Sequence, residues 1–283
     1  MIGVPRPNGA GFMPAYCDLH NHTLYSDGHL APAAVVDLAA ARGVTVLAVT
    51  DHDTLGGLDA ARERAQTHGM ELVPGIELSV EEGSYDVHLL GYFVTRPEVL
   101  AEALDEIQRD RVTRALRMVE LLAGLGLPIE YARVEQRARG GVVGRPHVAE
   151  ELVARGHASH INEAFDRFLG TDRPAYVAKR SVSLAEGVRL LRASGGVPVV
   201  AHPGASDLDE LIPWLADLGV AGLEVWHPKH DERETRRYLS MAKRHGLVPT
   251  GGSDFHREAP GATLPGDLRL PLEVVDALRP HAT

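Results

Sequence analysis

Residues 17–28 read CDLHNHTLYSDG. The spacing predicts a strand over 16–22, and in a strand side chains at i and i+2 share a face, so Asp18, His20 and His22 project together. Asp27 follows five residues after His22, just before Gly28. So much coordinating power at the end of one strand fits a barrel of strands and helices, which keeps its chemistry at the C-terminal rim.

The same arrangement recurs outward from this stretch. Short apolar, β-branched runs at 44–50, 71–77, 85–94, 197–202, 220–226 and 247–251 alternate with helical patterns, the signature of βα units around a parallel sheet. Strand two ends in TDHD (Asp51, His52, Asp53), strand three in GIE (Glu77), and strand four carries VHLLGY (His88). Strand five ends in AHP (His202), strand six in EVWHPKH (His227, His230), and strand seven in GGSDFH (Asp254, His256). Seven such strands point to an α/β barrel spanning 16–96 and 182–283. Residues 97–181 break the rhythm with long helical periodicity and no convincing strand, and are expected to form a helical insert capping the rim. Residues 1–15, rich in Gly and Pro, read as a disordered tail rather than a signal peptide.

Composition narrows the function. The chain has 283 residues, with 29 Lys plus Arg against 39 Asp plus Glu, a formal charge of −10 that disfavours long nucleic acid as a partner. No apolar run approaches the ~18 residues of a membrane span. The single cysteine, Cys17, rules out an internal disulfide framework and fits the cytoplasm. A monomer acting on a small molecule is expected.

Taken singly, each site residue has an ordinary reading. His52 and His88 suit hydrogen-bonded core or surface positions, Asp27 before Gly28 suits a turn, Asp53 suits a helix N-cap, and Glu77 suits a surface ion pair. Converging on one rim, however, so many acids and imidazoles would stay unpaired without a metal. No thiolate accompanies them, so the donor set suits manganese, iron or zinc in an open site rather than a closed cysteine–zinc site. A cluster of divalent ions held by three carboxylates keeps a positive charge, and phosphate esters are its natural guest.

DLHNHTLYSDG, VTDHDT, GIE, VHLLGY, AHP and GGSDFH, in this order, resemble the polymerase and histidinol phosphatase (PHP) family from Asp18 to His256. The resemblance implies a distorted (β/α)7 TIM-like barrel with two to three divalent metals, manganese first and zinc or iron as alternatives. It also implies that His20, His22, Glu77 and Asp254 hold one metal, that Glu77 bridges to a second held by His88 and His202, and that Asp27, His52 and His256 hold a third. His20, Glu77 and Asp254 would then act catalytically through metal-generated hydroxide attacking phosphorus. RVTRALRM and GRPHVAEEL, at 111–118 and 144–152, resemble stretches of small bacterial members acting on nucleoside 3′,5′-bisphosphates and on the 5′ ends of short RNA. On this basis Arg114, Arg145 and His147 are candidates for substrate phosphate, since Arg binds phosphate oxygens bidentately. His227 is a candidate to protonate the leaving group and His230 to contact substrate. The alternatives are a histidinol phosphate phosphatase, a metal-dependent amidohydrolase, and a non-catalytic PHP binding module. The amidohydrolase would want a lysine where YDVHLLGY has none.

Overall fold

The computed structural model describes residues 15–83, 85–178 and 182–282. The expected tail, apart from Ala15, lies outside them. The fold is mixed α/β: a central eight-stranded sheet with helices against it. Its strands are β1 (Tyr16–Asp18), β2 (Val44–Val49), β3 (Glu71–Glu82), β4 (Tyr85–Tyr92), β5 (Val182–Ser183), β6 (Val197–Val200), β7 (Gly222–Trp226) and β8 (Val248–Gly251), in the order β1-β2-β3-β4-β6-β7-β8 with β5 on the outer part of β3.

The sheet is not uniformly parallel, as the alternating pattern suggests. β4 runs antiparallel to both β3 and β6, while the remaining neighbours are parallel. Only two residues separate Glu82 from Tyr85, far short of the dozen or more that a parallel crossover requires. Gly83, with φ 57°, takes the left-handed conformation at this reversal. Nor do β1 and β8 close the sheet as a paired ladder among the described residues. An isolated bridge between Asn21 and Phe255 and the His22 N–H donating to the Phe255 carbonyl at 2.9 Å join the chain just beyond their ends.

β1 also stops earlier than the 16–22 pattern suggests. Past Asp18 the backbone is held by side chains, with the Asn21 N–H donating to Thr50 Oγ1 at 3.1 Å. Asp18 therefore does not project with His20 and His22. Its carboxylate accepts from the amides of Ser253 (3.0 Å) and Gly266 (2.8 Å), which ties the end of β8 to β1.

Helices α1 (Pro32–Ala41) and α2 (Leu58–Thr67) pack on β2 through Val35, Val36, Leu47, Val49, Leu58 and Ala61. Then come α3 (Ala101–Gly124), α4 (Tyr131–Arg137), α5 (Arg145–Ala154) and α6 (Ile161–Ala164), extended by one π turn, Phe165–Leu169. This region holds no strand among the described residues and buries its own core of Met118, Leu122, Val134, Val148, Leu152 and Leu169. Helices α7 (Leu184–Ala193), α8 (Ile212–Asp217) and α9 (Glu232–His245) cover the sheet, and α10 (Glu273–Leu278) packs beside Cys17 and Leu19. α9 starts with a capping box between Asp231 and Glu234. Burial pushes the Cys17 thiol up to about 12, with Asp18 adding to it, so Cys17 is a packing residue. Among the described residues no helix is long and apolar enough to cross a membrane.

Candidate metal centre

All nine sequence-selected ligands converge on one site. His20 Nε2 and His22 Nε2 lie 3.1 Å apart, and each is 3.2–3.4 Å from Glu77 Oε2 and Asp254 Oδ1. The other oxygen of Glu77 sits 2.8 Å from His88 Nδ1 and 3.0 Å from His202 Nε2. Asp27 faces His256 Nε2 at 3.3 Å, His22 Nδ1 at 3.7 Å and His52 Nε2 at 3.9 Å. Glu77, fully buried, joins the first two groups, and through His52 Nδ1 at 3.1 Å it also borders the third.

The acids and imidazoles of the cluster shift one another strongly, and His20, His22 and His256 are all raised, against burial, by the carboxylates around them. Burial alone would raise the Glu77 carboxyl, but the surrounding imidazoles, led by His52 and His88, outweigh it and hold the group well below the carboxylate range. Asp27 and Asp254 are held down against burial in the same way, by His256 and His52 and by His20 and His256 respectively. Burial depresses His52 to about 3, so it stands neutral with a lone pair to offer. His22 goes to about 10 because Asp254 and Glu77 overcome its burial. Four buried polar atoms of the cluster, Asp27 Oδ1, His52 Nδ1, His202 Nδ1 and His227 Nε2, have no hydrogen-bond partner. Orphaned donors and acceptors in a buried imidazole and carboxylate set fit divalent ions of the manganese, iron or zinc type. Each of four three- or four-residue groups drawn from the nine also brings its ligand atoms within 4.8 Å of one another.

A supporting shell, drawn from acids inside the same motifs, fixes these nine side chains. Glu224 Oε1 lies 2.9 Å from His20 Nδ1, and its other oxygen accepts from the His202 amide at 2.7 Å. His20 thus presents Nε2 inward, the usual carboxylate–histidine arrangement around a metal. Asp51 accepts from Thr23 N, Thr23 Oγ1 and Ser26 Oγ at 2.6–2.7 Å, which pins the loop carrying Asp27. Asp53 is not a helix cap. Gly57 occupies the N-cap of α2, while Asp53 accepts from Ser79 N at 2.7 Å and pairs with Arg111 Nε at 2.8 Å. Asp53, His202 and Asp254 have φ of 53°, 25° and 48°, left-handed conformations that cost about 1–3 kcal/mol each in non-glycine residues.

The other candidates are spread around the cluster. Arg114 and Arg145 line a cavity of about 140 Å³ beside His52 and His88, together with Arg111, which the sequence reading passed over. Arg114 Nε donates to the Val177 carbonyl (3.1 Å), and Arg145 pairs with Asp86 (3.1 Å). Burial, with the neighbouring Arg145 and Arg111, lowers the Arg114 pKa. His147 is buried at the start of α5, where its Nδ1 accepts from the Gly144 amide at 3.0 Å. His227 Nε2 lies 3.2 Å from Asp254 Oδ2. His230 is turned away: Nδ1 donates to the Val225 carbonyl (3.0 Å) and Nε2 accepts from the Gly204 amide (3.2 Å), so both ring nitrogens are engaged. Lys229, also passed over, places Nζ 3.4 Å from Asp254 Oδ2.

The chain is similar to known proteins along most of its length. A family model described as PHP domain matches residues 18–168. The chain is 35% identical over 254 residues to a 3′,5′-nucleoside bisphosphate phosphatase of Chromobacterium violaceum, covering 87% of this chain and 88% of that protein. It is 33% identical over 266 residues to the 5′-3′ exoribonuclease Rnm of Escherichia coli, covering 91% and 90%. A solved structure described as a metal-dependent phosphoesterase of Bifidobacterium adolescentis superposes with a TM-score of 0.87 at 30% identity, over 95% of this chain and 97% of that one. The chain belongs to the PHP domain family.

Proposed function

We propose that this protein is a metal-dependent phosphoesterase that hydrolyses a phosphomonoester of a small nucleotide, such as a nucleoside 3′,5′-bisphosphate, and short 5′-phosphorylated oligonucleotides. The observation that carries the reading is the adjacency of the His/Asp/Glu cluster to a pocket walled by Arg111, Arg114 and Arg145. Such a pair of sites suits a substrate with two phosphates, one reacting and one recognised. On this reading two to three divalent ions, manganese foremost, would be held by His20, His22, Glu77 and Asp254, by Glu77, His88 and His202, and by Asp27, His52 and His256. When bound, the ions supply a nucleophilic hydroxide at neutral pH and Lewis acidity toward the phosphoryl oxygens.

The protein's own side chains do the rest. The arginines bind and orient the remote phosphate, with the Phe165 ring at the pocket rim. Glu224 and Asp51 hold the ligands in place, and His227, between Asp254 and the open cleft, is the group best placed to give a proton to the leaving oxygen. His230 and His147 are assigned positioning roles, since each spends a ring nitrogen on the backbone. We further read the sheet over 16–96 and 182–283 as a distorted (β/α)7 barrel and 97–181 as a cap over its rim. Supporting this are the single bridge beyond β1 and β8 and the arginines that α3 and α5 bring to the cluster. The protein is read as a cytoplasmic monomer, in keeping with a lone, buried free thiol.

Protein loaded with Mn²⁺ is expected to release phosphate from 3′-phosphoadenosine 5′-phosphate, and Arg145→Ala to raise KM more than it lowers kcat, because a remote phosphate binds equally in ground and transition states. No release above a His20→Ala control would refute the activity, and an unchanged KM would remove Arg145 from the phosphate site.

A further inference from the structure

Asp53, the residue after His52, has a φ of 53°, a left-handed conformation that a non-glycine residue keeps only where its surroundings enforce it. Those surroundings form a closed joint. One carboxylate oxygen of Asp53 accepts from the Ser79 amide at 2.7 Å, and the other accepts from Arg111 Nε at 2.8 Å and from Arg111 Nη2. Arg111 Nη2 also donates to Ser79 Oγ at 2.9 Å, so one guanidinium grips both residues. Gln108, on the preceding turn of α3, donates Nε2 to the Asp53 carbonyl at 2.9 Å. From the joint the backbone leads directly to the cluster. The Asp53 amide donates to the Glu77 carbonyl at 3.0 Å, and the Glu77 amide to the Asp51 carbonyl at 3.2 Å. The other arginine–carboxylate pair of the pocket differs, because the Asp86 side chain facing Arg145 is 41% exposed while that of Asp53 is 0% exposed. Water can replace Arg145 beside Asp86, but it has no access to Asp53.

We infer that Arg111 is a positioning residue of the metal centre: from α3 it holds Asp53 and Ser79, and through them the His52 imidazole and the Glu77 carboxylate. This rests on the metal-dependent reading above and adds to it a residue outside the nine side chains. A guanidinium suits the task, since its rigid fork offers several donors at once where an ammonium is a single point of charge. Binding a phosphate does not account for the joint, because an arginine kept only for an anion has no need of a buried carboxylate. Arg111 Nη1 takes no part in it and lies beside Gly144, where an added Cβ would stand 3.3 Å away. Removing the guanidinium leaves the Asp53 carboxylate buried and unpaired and lets the left-handed turn relax. His52 then moves out of line with Asp27 and His256. The ion assigned to those three side chains therefore depends on the docking of α3.

Arg111→Met is expected to lower the affinity for one Mn²⁺ by about 10–100-fold, the usual cost of losing the support behind a ligand, and to leave the other ions bound as in wild type. Calorimetric titration of the whole protein reads this without turnover. Arg111→Lys keeps a positive charge beside Asp53, so it guards against a variant that fails to fold, and it should show a smaller loss at the same ion. His52→Ala removes the ligand itself. Adding Arg111→Met to it should weaken Mn²⁺ binding no further, because both changes act on one ion. With 3′-phosphoadenosine 5′-phosphate, the kcat of Arg111→Lys should recover as Mn²⁺ is raised, which the loss of a phosphate contact alone would not allow. The inference is overturned if both Arg111 variants bind Mn²⁺ as wild type does, if they weaken every ion alike, or if the Arg111→Met and His52→Ala losses add. Wild-type protein that takes up no Mn²⁺ would overturn the metal reading itself, and this inference with it.

Discussion

Gly252 shows how tightly single residues constrain the centre. A Cβ there would lie 2.4 Å from both the Cβ and the backbone nitrogen of His20, contacts that side chains do not tolerate. Gly252→Ala must therefore displace His20, whose Nε2 is 3.1 Å from its partner on His22. The expected result is a folded protein whose Mn²⁺ affinity, measured by calorimetry, falls about 10–100-fold, the usual cost of disturbing the support of a ligand. Wild-type affinity would mean that His20 is not held by this contact. That the nine side chains meet was legible because each stands in a short motif at or near an apolar run. The part played by Glu224, Asp51 and Asp18 was not, although all three fall in the same motifs, because nothing in their spacing separates a supporting carboxylate from a ligand or a surface one. Glu224 carries one further signal: it interrupts the apolar strand GLEVW, where a buried acid needs a partner.

At the scale of elements, the helical region is stapled by charge as well as by its apolar core. Glu151 on α5 is buried and accepts from Arg137 at the end of α4 and from Arg155, both at 2.8 Å. Burial alone would raise its pKa, but these guanidinium groups, Arg155 foremost, lower it below the usual carboxylate value. A carboxyl depressed in the folded state contributes stability above its unfolded pKa and loses it as pH falls through the folded one. Glu151→Gln should therefore lower the thermal midpoint at pH 7 by about 2–4 °C, and by progressively less as pH falls from the ordinary glutamate range toward the lowered folded pKa. A shift that does not change with pH would show that packing, not charge, joins α4 to α5. Helical periodicity made α3 readable as a helix, yet it could not reveal that Arg111 turns inward to Asp53, because a charged residue on a long helix looks solvated until its neighbours are known. The antiparallel course of β4 was open to reading from the two-residue gap at Gly83, although apolar alternation alone says nothing of strand direction. β5, two residues long, has no periodicity to detect.

For the molecule as a whole, the centre is the point at which segments far apart in the chain are forced together. His20, His202 and Asp254 follow the ends of β1, β6 and β8, Glu77 stands in the middle of β3, and the four meet within hydrogen-bonding range. Without a cation, the protein holds the buried Glu77, the half-buried Asp27 and Asp254, several imidazoles and four orphaned polar atoms in one place, and the orphaned atoms cost folding free energy. An ion that binds the folded chain and not the unfolded one stabilises it by RT ln(1 + [L]/Kd), about 2.7 kcal/mol at a hundredfold excess over Kd. Adding Mn²⁺ to chelator-stripped protein should therefore raise the thermal midpoint by several degrees, and chelation should reverse the change. Asp254→Asn should lose most of the Mn²⁺ increment and should lower the midpoint of the metal-free protein at neutral pH, because the imidazoles that hold the Asp254 carboxyl below its usual range make its charged form the stabilising one. A midpoint indifferent to Mn²⁺ in the wild type would mean that the nine side chains meet for some purpose other than holding a cation.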